Sequence, residues 1–181
     1  MMTLPFSKSG TFYKGNLHTH STLSDGSISP EQVCDFYREA GYDFLALTDH
    51  FLERYNWPIA DTRPFRTKGF TTLPGAELHT GETTFGGMWH ILAVGLPEDF
   101  APAAPDETGP ELAYRAMKSG AYVAVAHPAW YTLTEADITS LGQLHAIEVF
   151  NGTSVDSNDR ADSWHITDIM LSQGWRYTIC A

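Results

Sequence analysis

The sequence predicts an α/β fold closed into something barrel-like, on two observations. Seven strand-length runs of apolar and β-branched residues recur along the chain, and helix signals with short turns separate several of them. Such alternation implies βα units, with parallel strands and helices outside. Seven strands without a long linker favour one barrel-like sheet over two domains; a doubly wound open sheet is the alternative.

The strand runs cover residues 12–18, 44–48, 71–78, 90–95, 122–126, 145–150 and 175–180. The clearest helix starts with Ser29 as N-cap and Pro30 at the first helical position. It carries Val33, Phe36, Tyr37 and Ala40 on one face and stops at Gly41. Further helices are expected over 110–119, 134–141 and 157–172, each followed by a strand run. Pro97, Pro102, Pro105 and Pro110 mark a long connection inside the domain.

A chain of 181 residues suits one domain, residues 1–181, and 43% hydrophobic residues give it material for a core. The net charge of -11 argues against stable binding to nucleic acid or an anionic membrane, because such surfaces collect Lys and Arg. A metal centre would reverse that sign locally. Cys34 and Cys180 form no metal or redox spacing and read as inert packing in a reducing cytoplasm. Residues 1–15 lack the apolar core of a signal peptide, and no apolar run approaches the ~18 residues of a membrane span. A cytoplasmic protein is expected.

The chemistry-bearing residues fall where such folds build sites, at the carboxyl ends of strands. His18 and His20, in Asn16-Leu-His-Thr-His, follow the first run, where period-two alternation points both imidazoles to one side. Asp25 lies in the turn Ser24-Asp-Gly, His50 closes the second run, Glu77 the third and His127 the fifth. His90 begins its run instead. Gly81, Gly86 and Gly87 allow the chain to reverse after Glu77, so an antiparallel return strand would bring His90 to the same rim. Any one of these histidines alone is more readily structural; seven ligand-type side chains at one rim imply at least two metals, with Glu77 a natural bridge. Asp49 is a ligand, a partner that orients one, or equally an ordinary turn carboxylate. His79, His145 and His165 read as surface, strand-start and helix residues, and Glu148 and Asn151 as neighbours of the site or ordinary strand and turn residues.

These residues in this order, Asn16-Leu-His-Thr-His, Ser24-Asp-Gly, Leu47-Thr-Asp-His, Gly75-Ala-Glu, Trp89-His-Ile-Leu-Ala and Ala126-His-Pro, resemble the PHP (polymerase and histidinol phosphatase) family. The resemblance implies a distorted seven-stranded β/α (TIM-like) barrel, two to three divalent ions of Mn, Zn or Fe, and phosphoesterase activity on a small phosphorylated molecule or nucleotide. Carried over by motif, His18 and His20 hold one metal, Glu77 bridges it to a second held by His90 and His127, and Asp25 and His50 hold a third. Members end the site with an Asp-x-His after the last strand. None follows Cys180-Ala181, so the domain is expected to lack its C-terminal end.

The expected catalytic residues are Glu77, as the bridge between metals that lower the pKa of a water, and His50, as donor of a proton to the leaving oxygen. Substrate phosphate needs cations, and the segment after His50 supplies Arg54, Arg63 and Arg66, suited to bidentate capture of phosphate oxygens. An amide or ester hydrolase with the same metals, and a non-catalytic metal-stabilised domain, are the competing readings.

Overall fold

A computed structural model describes residues 9–181; residues 1–8, part of the stretch read as lacking a signal-peptide core, lie outside the described residues. The elements in order are β1 (Gly15–Asn16), α1 (Pro30–Glu39), β2 (Phe44–Leu47), β3 (His50–Phe51), β4 (Thr71–Glu82), β5 (Met88–Val94), α2 (Gly109–Lys118), β6 (Tyr122–Val125), α3 (Glu135–Ser140), β7 (Ala146–Glu148), α4 (Gly152–Ser157), α5 (Trp164–Ser172) and β8 (Thr178–Cys180).

One sheet runs β1-β2-β4-β5-β6-β7-β8, and the short β3 adds to β4. All neighbours are parallel except around β5, which is antiparallel to both β4 and β6. The long β4 serves two partners: its first half pairs with β2, and its second half pairs with β3 in the register His50↔Glu77. The return strand expected after Glu77 is present, with His90 opposite His79.

The sheet is curled but open. β1 and β8 stand at opposite ends of the strand order and are not paired, so the closed TIM-like barrel is corrected to a seven-strand half-barrel. A two-residue β1 and a three-residue β8 offer too few backbone groups to seal a barrel.

Side-chain alternation sorts the two faces of the sheet. Ala76, Leu78, Ile91, Ala93, Val123, Val125 and Ile147 face outward onto α2, α3 and α5, forming the main core with Leu112, Ala116, Ile138 and Met170. Leu92, Ala124, Ala126 and Ala146 form a smaller cluster of their own, as strand neighbours on alternate faces should. A third cluster packs Val33 and Cys34 of α1 onto Leu45 and Leu47 of β2. Cys34 therefore joins Val33 as a buried residue of that helix, where Phe36 was expected; Phe36 is 63% exposed. Burial pushes the Cys34 thiol up to about 11, and both cysteines are free.

Three helices start on reciprocal capping boxes: Ser29 with Gln32, Thr108 with Glu111, and Thr134 with Asp137. The helix expected over 157–172 starts only at Trp164, as α5, and the short α4 precedes it over Gly152–Ser157. Between them Asn158 Oδ1 accepts from the Arg160 N–H and Asp162 Oδ1 from the Trp164 N–H, local bonds that compete with helix continuation.

Candidate metal centre

The parallel strands β1, β3, β6 and β7 and the hairpin β4–β5 deliver six imidazoles and three carboxylates to one end of the sheet. Glu77 is the hub, fully buried in mid-β4. Its Oε1 lies 2.7 Å from His90 Nδ1 and 2.9 Å from His127 Nε2. Its Oε2 faces His50 Nδ1 at 2.7 Å, His20 Nε2 at 3.3 Å, His18 Nε2 at 3.7 Å and His79 Nε2 at 3.8 Å. One carboxylate thus separates two groups of nitrogen donors, which is the geometry of a bridging ligand.

The flanking carboxylates extend the cluster. Asp25 reaches both His20 Nδ1 (2.7 Å) and His50 Nε2 (3.2 Å), while Glu148 at the end of β7 lies 2.9 Å from His18 Nδ1. Glu148 also accepts from the backbone N–H of His127 (2.6 Å) and from Asn151 Nδ2 (3.1 Å). His127 itself sits at φ 23°, a conformation uncommon for a residue with a Cβ and stabilised here by that bond to Glu148.

The electrostatics suit a cation. Burial works against a charge on His18, but Glu148 and Glu77 outweigh it and raise His18 to about 10. Burial likewise favours neutral Glu77, yet the charge of His18 and the facing ring nitrogens of His127, His18 and His20 hold the carboxyl well below its ordinary range. A proton on His18 therefore supplies positive charge between two buried carboxylates, a role a divalent ion takes over when ligands deprotonate on binding. Glu77 Oε2 and His127 Nδ1 are buried without a hydrogen-bond partner. Orphaned donor atoms of borderline character, within 4.8 Å of one another in groups such as His18, His20 and Glu77, fit Zn, Mn or Fe.

All seven residues expected as ligands, His18, His20, Asp25, His50, Glu77, His90 and His127, meet in this cluster and line one cavity of about 710 Å³. Asp49 lies outside it. Its buried carboxylate accepts from Ser21 N (2.7 Å), Ser21 Oγ (2.8 Å) and Ser24 Oγ (2.6 Å), so it pins the loop that carries Asp25. His79, expected at the surface, is instead buried in the cluster, its Nδ1 donating to the Trp89 carbonyl (3.2 Å) and its pKa pushed down to about 3, chiefly by burial. The signal was available: two residues past Glu77 on a continuing strand is the same face. Glu148 and Asn151 touch the site.

The three arginines separate. Arg54 borders the cavity, its guanidinium carbon 4.8 Å from the centre of the Tyr55 ring. Arg63 pairs with Asp61 and Glu98, each at 2.7 Å, and Arg66 donates to Thr72 Oγ1 (3.2 Å) and the Thr72 carbonyl (2.6 Å). Both line a different hollow of about 360 Å³, so of the expected substrate arginines only Arg54 stands at the cluster.

A hub carboxylate between histidine groups at the carboxyl end of a curled α/β sheet is a donor set that could hold metal ions, and known proteins share the fold that builds it. The fold is similar to that of a Bacteroides vulgatus two-domain protein described as containing a predicted PHP-like metal-dependent phosphoesterase, with TM-score 0.63, 19% identity, and coverage of 91% of this chain and 50% of that one. It is also similar to a candidate metal-dependent phosphoesterase from Bifidobacterium adolescentis (TM-score 0.62, 13% identity, 95% of this chain and 88% of that one). A Chromobacterium violaceum amidohydrolase with bound sulfate shares it as well (TM-score 0.60, 15% identity, 93% and 86%).

Among curated proteins, the chain is 33% identical over 104 residues to the phosphoribosyl 1,2-cyclic phosphate 1,2-diphosphodiesterase of Eggerthella lenta, covering 58% of this chain and 38% of that protein. It is 46% identical over 37 residues to the DNA polymerase/3'-5' exonuclease PolX of Bacillus subtilis, covering 20% of this chain. The chain thus spans 38% and 6% of the length of these two relatives. No family model matches. The likeness to PHP-like proteins read from the motifs is met in the fold.

Proposed function

We propose that the chain is a metal-dependent phosphoesterase acting on a small phosphorylated molecule or nucleotide. The observation that carries this reading is Glu77, buried with six imidazoles around its two oxygens at the base of one cavity. His18, His20 and Glu77 would hold one ion, Glu77, His90 and His127 a second, and Asp25 with His50 a third. Divalent ions, when bound, supply a water of lowered pKa and neutralise charge on phosphoryl oxygens.

The chain's own residues do the rest. Arg54 at the rim binds phosphate oxygens through its planar fork. Trp130 and Tyr131 close one wall of the cavity, Tyr131 stacked on the His90 ring at 4.2 Å, and hold back water on that side. His50, at the cavity wall beside Asp25, can give a proton to the leaving oxygen only while it holds no ion, so its two expected roles exclude each other. Two of the structural neighbours carry phosphoesterase names and one curated relative is a diphosphodiesterase, which supports this substrate class; the amidohydrolase among the neighbours supports the second reading, the same centre acting on an amide.

The test is turnover of p-nitrophenyl phosphate and bis(p-nitrophenyl) phosphate by the purified chain with added Mn, beside a p-nitroanilide. The expected result is metal-dependent release from a phosphate ester that Glu77→Gln and His20→Ala each cut by at least about 100-fold. Release from the anilide alone would favour the amide reading, and retained metal with no turnover of any substrate a non-catalytic, metal-stabilised domain.

A further inference from the structure

A neutral imidazole offers one N–H and one lone pair, so the partner of one nitrogen decides what the other can do. His79 Nδ1 lies 3.2 Å from the Trp89 carbonyl oxygen. A carbonyl only accepts, so Nδ1 carries the proton and Nε2 presents its lone pair. That lone pair points inward from a side chain with 0% exposure, to a place 2.8 Å from His50 Nδ1 and 3.8 Å from Glu77 Oε2. Glu77 Oε2 has no hydrogen-bond partner of its own, although His50 Nδ1 is 2.7 Å away.

Three donor atoms, two nitrogens and one oxygen, therefore face one another. Their separations of 2.7, 2.8 and 3.8 Å bracket the roughly 3.3 Å between ligands held about 2.05 Å from a tetrahedral ion. A His50–His79 hydrogen bond alone would leave Glu77 Oε2 unsatisfied and buried, at the cost of a desolvated carboxylate oxygen. We infer that His79 is itself a metal ligand, donating through Nε2 to the ion assigned above to His50, with Glu77 Oε2 as a further donor to it. The inference rests on the metal-centre reading above and adds a residue that the recognised motifs do not contain.

The experiment titrates the apo form of the whole chain with Co(II), following the visible bands whose intensity reports coordination number, and counts Zn per chain after reconstitution. The wild type, His79→Ala and His165→Ala are compared, the last because His165 is exposed on α5. His79→Ala should weaken one Co(II) site at least tenfold and alter its bands, with the other site or sites and the near-ultraviolet circular dichroism unchanged; His165→Ala should match the wild type. Should His79→Ala fail to fold, ring-nitrogen NMR of the ¹⁵N-labelled wild type decides: addition of Zn should move the His79 Nε2 resonance out of the free lone-pair range. Unchanged affinity and bands in a folded His79→Ala, or an unmoved His79 Nε2 resonance in Zn-loaded protein, would overturn the inference while leaving the metal centre standing. A wild type that binds no metal would overturn both.

Discussion

At the scale of single residues, Asp49 shows how a carboxylate can serve the site without touching it. It is 1% exposed and accepts three hydrogen bonds from Ser21 and Ser24, so Asp49→Ala leaves buried donors unsatisfied and frees the loop before Asp25. The expected cost is about 2–3 kcal/mol, read as a fall in urea midpoint, with Asp49→Asn costing less because its amide oxygen still accepts. The sequence left Asp49 open between ligand and supporting residue, since Thr48-Asp-His contains no information on which way a turn carboxylate points. His79 was misplaced for a related reason. A glycine at position 81 suggested that the strand had ended, whereas β4 runs on to Glu82 through an irregularity between Thr80 and Glu82, which carries His79 inward with Glu77. The two distant arginines were beyond sequence reasoning too, because Asp61 and Glu98 capture Arg63 through contacts that only the folded loop creates.

At the scale of elements, the hairpin β4–β5 and helix α2 meet at one tight contact. A Cβ placed on Gly109 would lie 2.5 Å from the Trp89 ring, and Trp89 neighbours His90 in sequence and holds His79 through its carbonyl. Gly109→Ala should therefore destabilise the fold by about 1–3 kcal/mol through overpacking, and should shift tryptophan emission as the ring is displaced. A Thr108→Ala variant separates this from ordinary helix capping: it loses the box with Glu111, costs about 1 kcal/mol, and leaves the emission unchanged. Equal emission shifts in both would point to loosening of α2 as a whole. Caps of this kind were the most legible elements, because Ser29-Pro30 and Gly41 state a beginning and an end within the local chain. Residues 157–172 misled because their apolar spacing is helical while Asn158 and Asp162 bind nearby backbone N–H groups and break the run.

At the scale of the whole molecule, strand number and order of ligands were legible, but closure was not: alternation tells which residues face inward, whereas curvature depends on how far the edge strands extend, and β1 and β8 are short. An open sheet places more weight on what joins its strands at the ligand end. There, side chains in or just after β1, β3, β6 and β7 converge on Glu77 of β4 or on its neighbours, so an ion shared among them would bind strands that are far apart in the order. Such an ion binds the folded chain and not the unfolded one, and at a free concentration of 100 times its Kd it adds about 2.7 kcal/mol per site. For a chain of this size each kcal/mol is worth roughly 2–4 °C, so saturating Mn or Zn should raise Tm by about 5 to 10 °C for each ion bound, and EDTA should reverse it. Glu77→Gln should abolish the rise, because it removes the charge from the oxygens between the two histidine groups. His165→Ala should leave the rise in place. A metal-independent Tm in the wild type would mean that the cluster is held by its own proton on His18 and not by metal, and the phosphoesterase reading would fall with it.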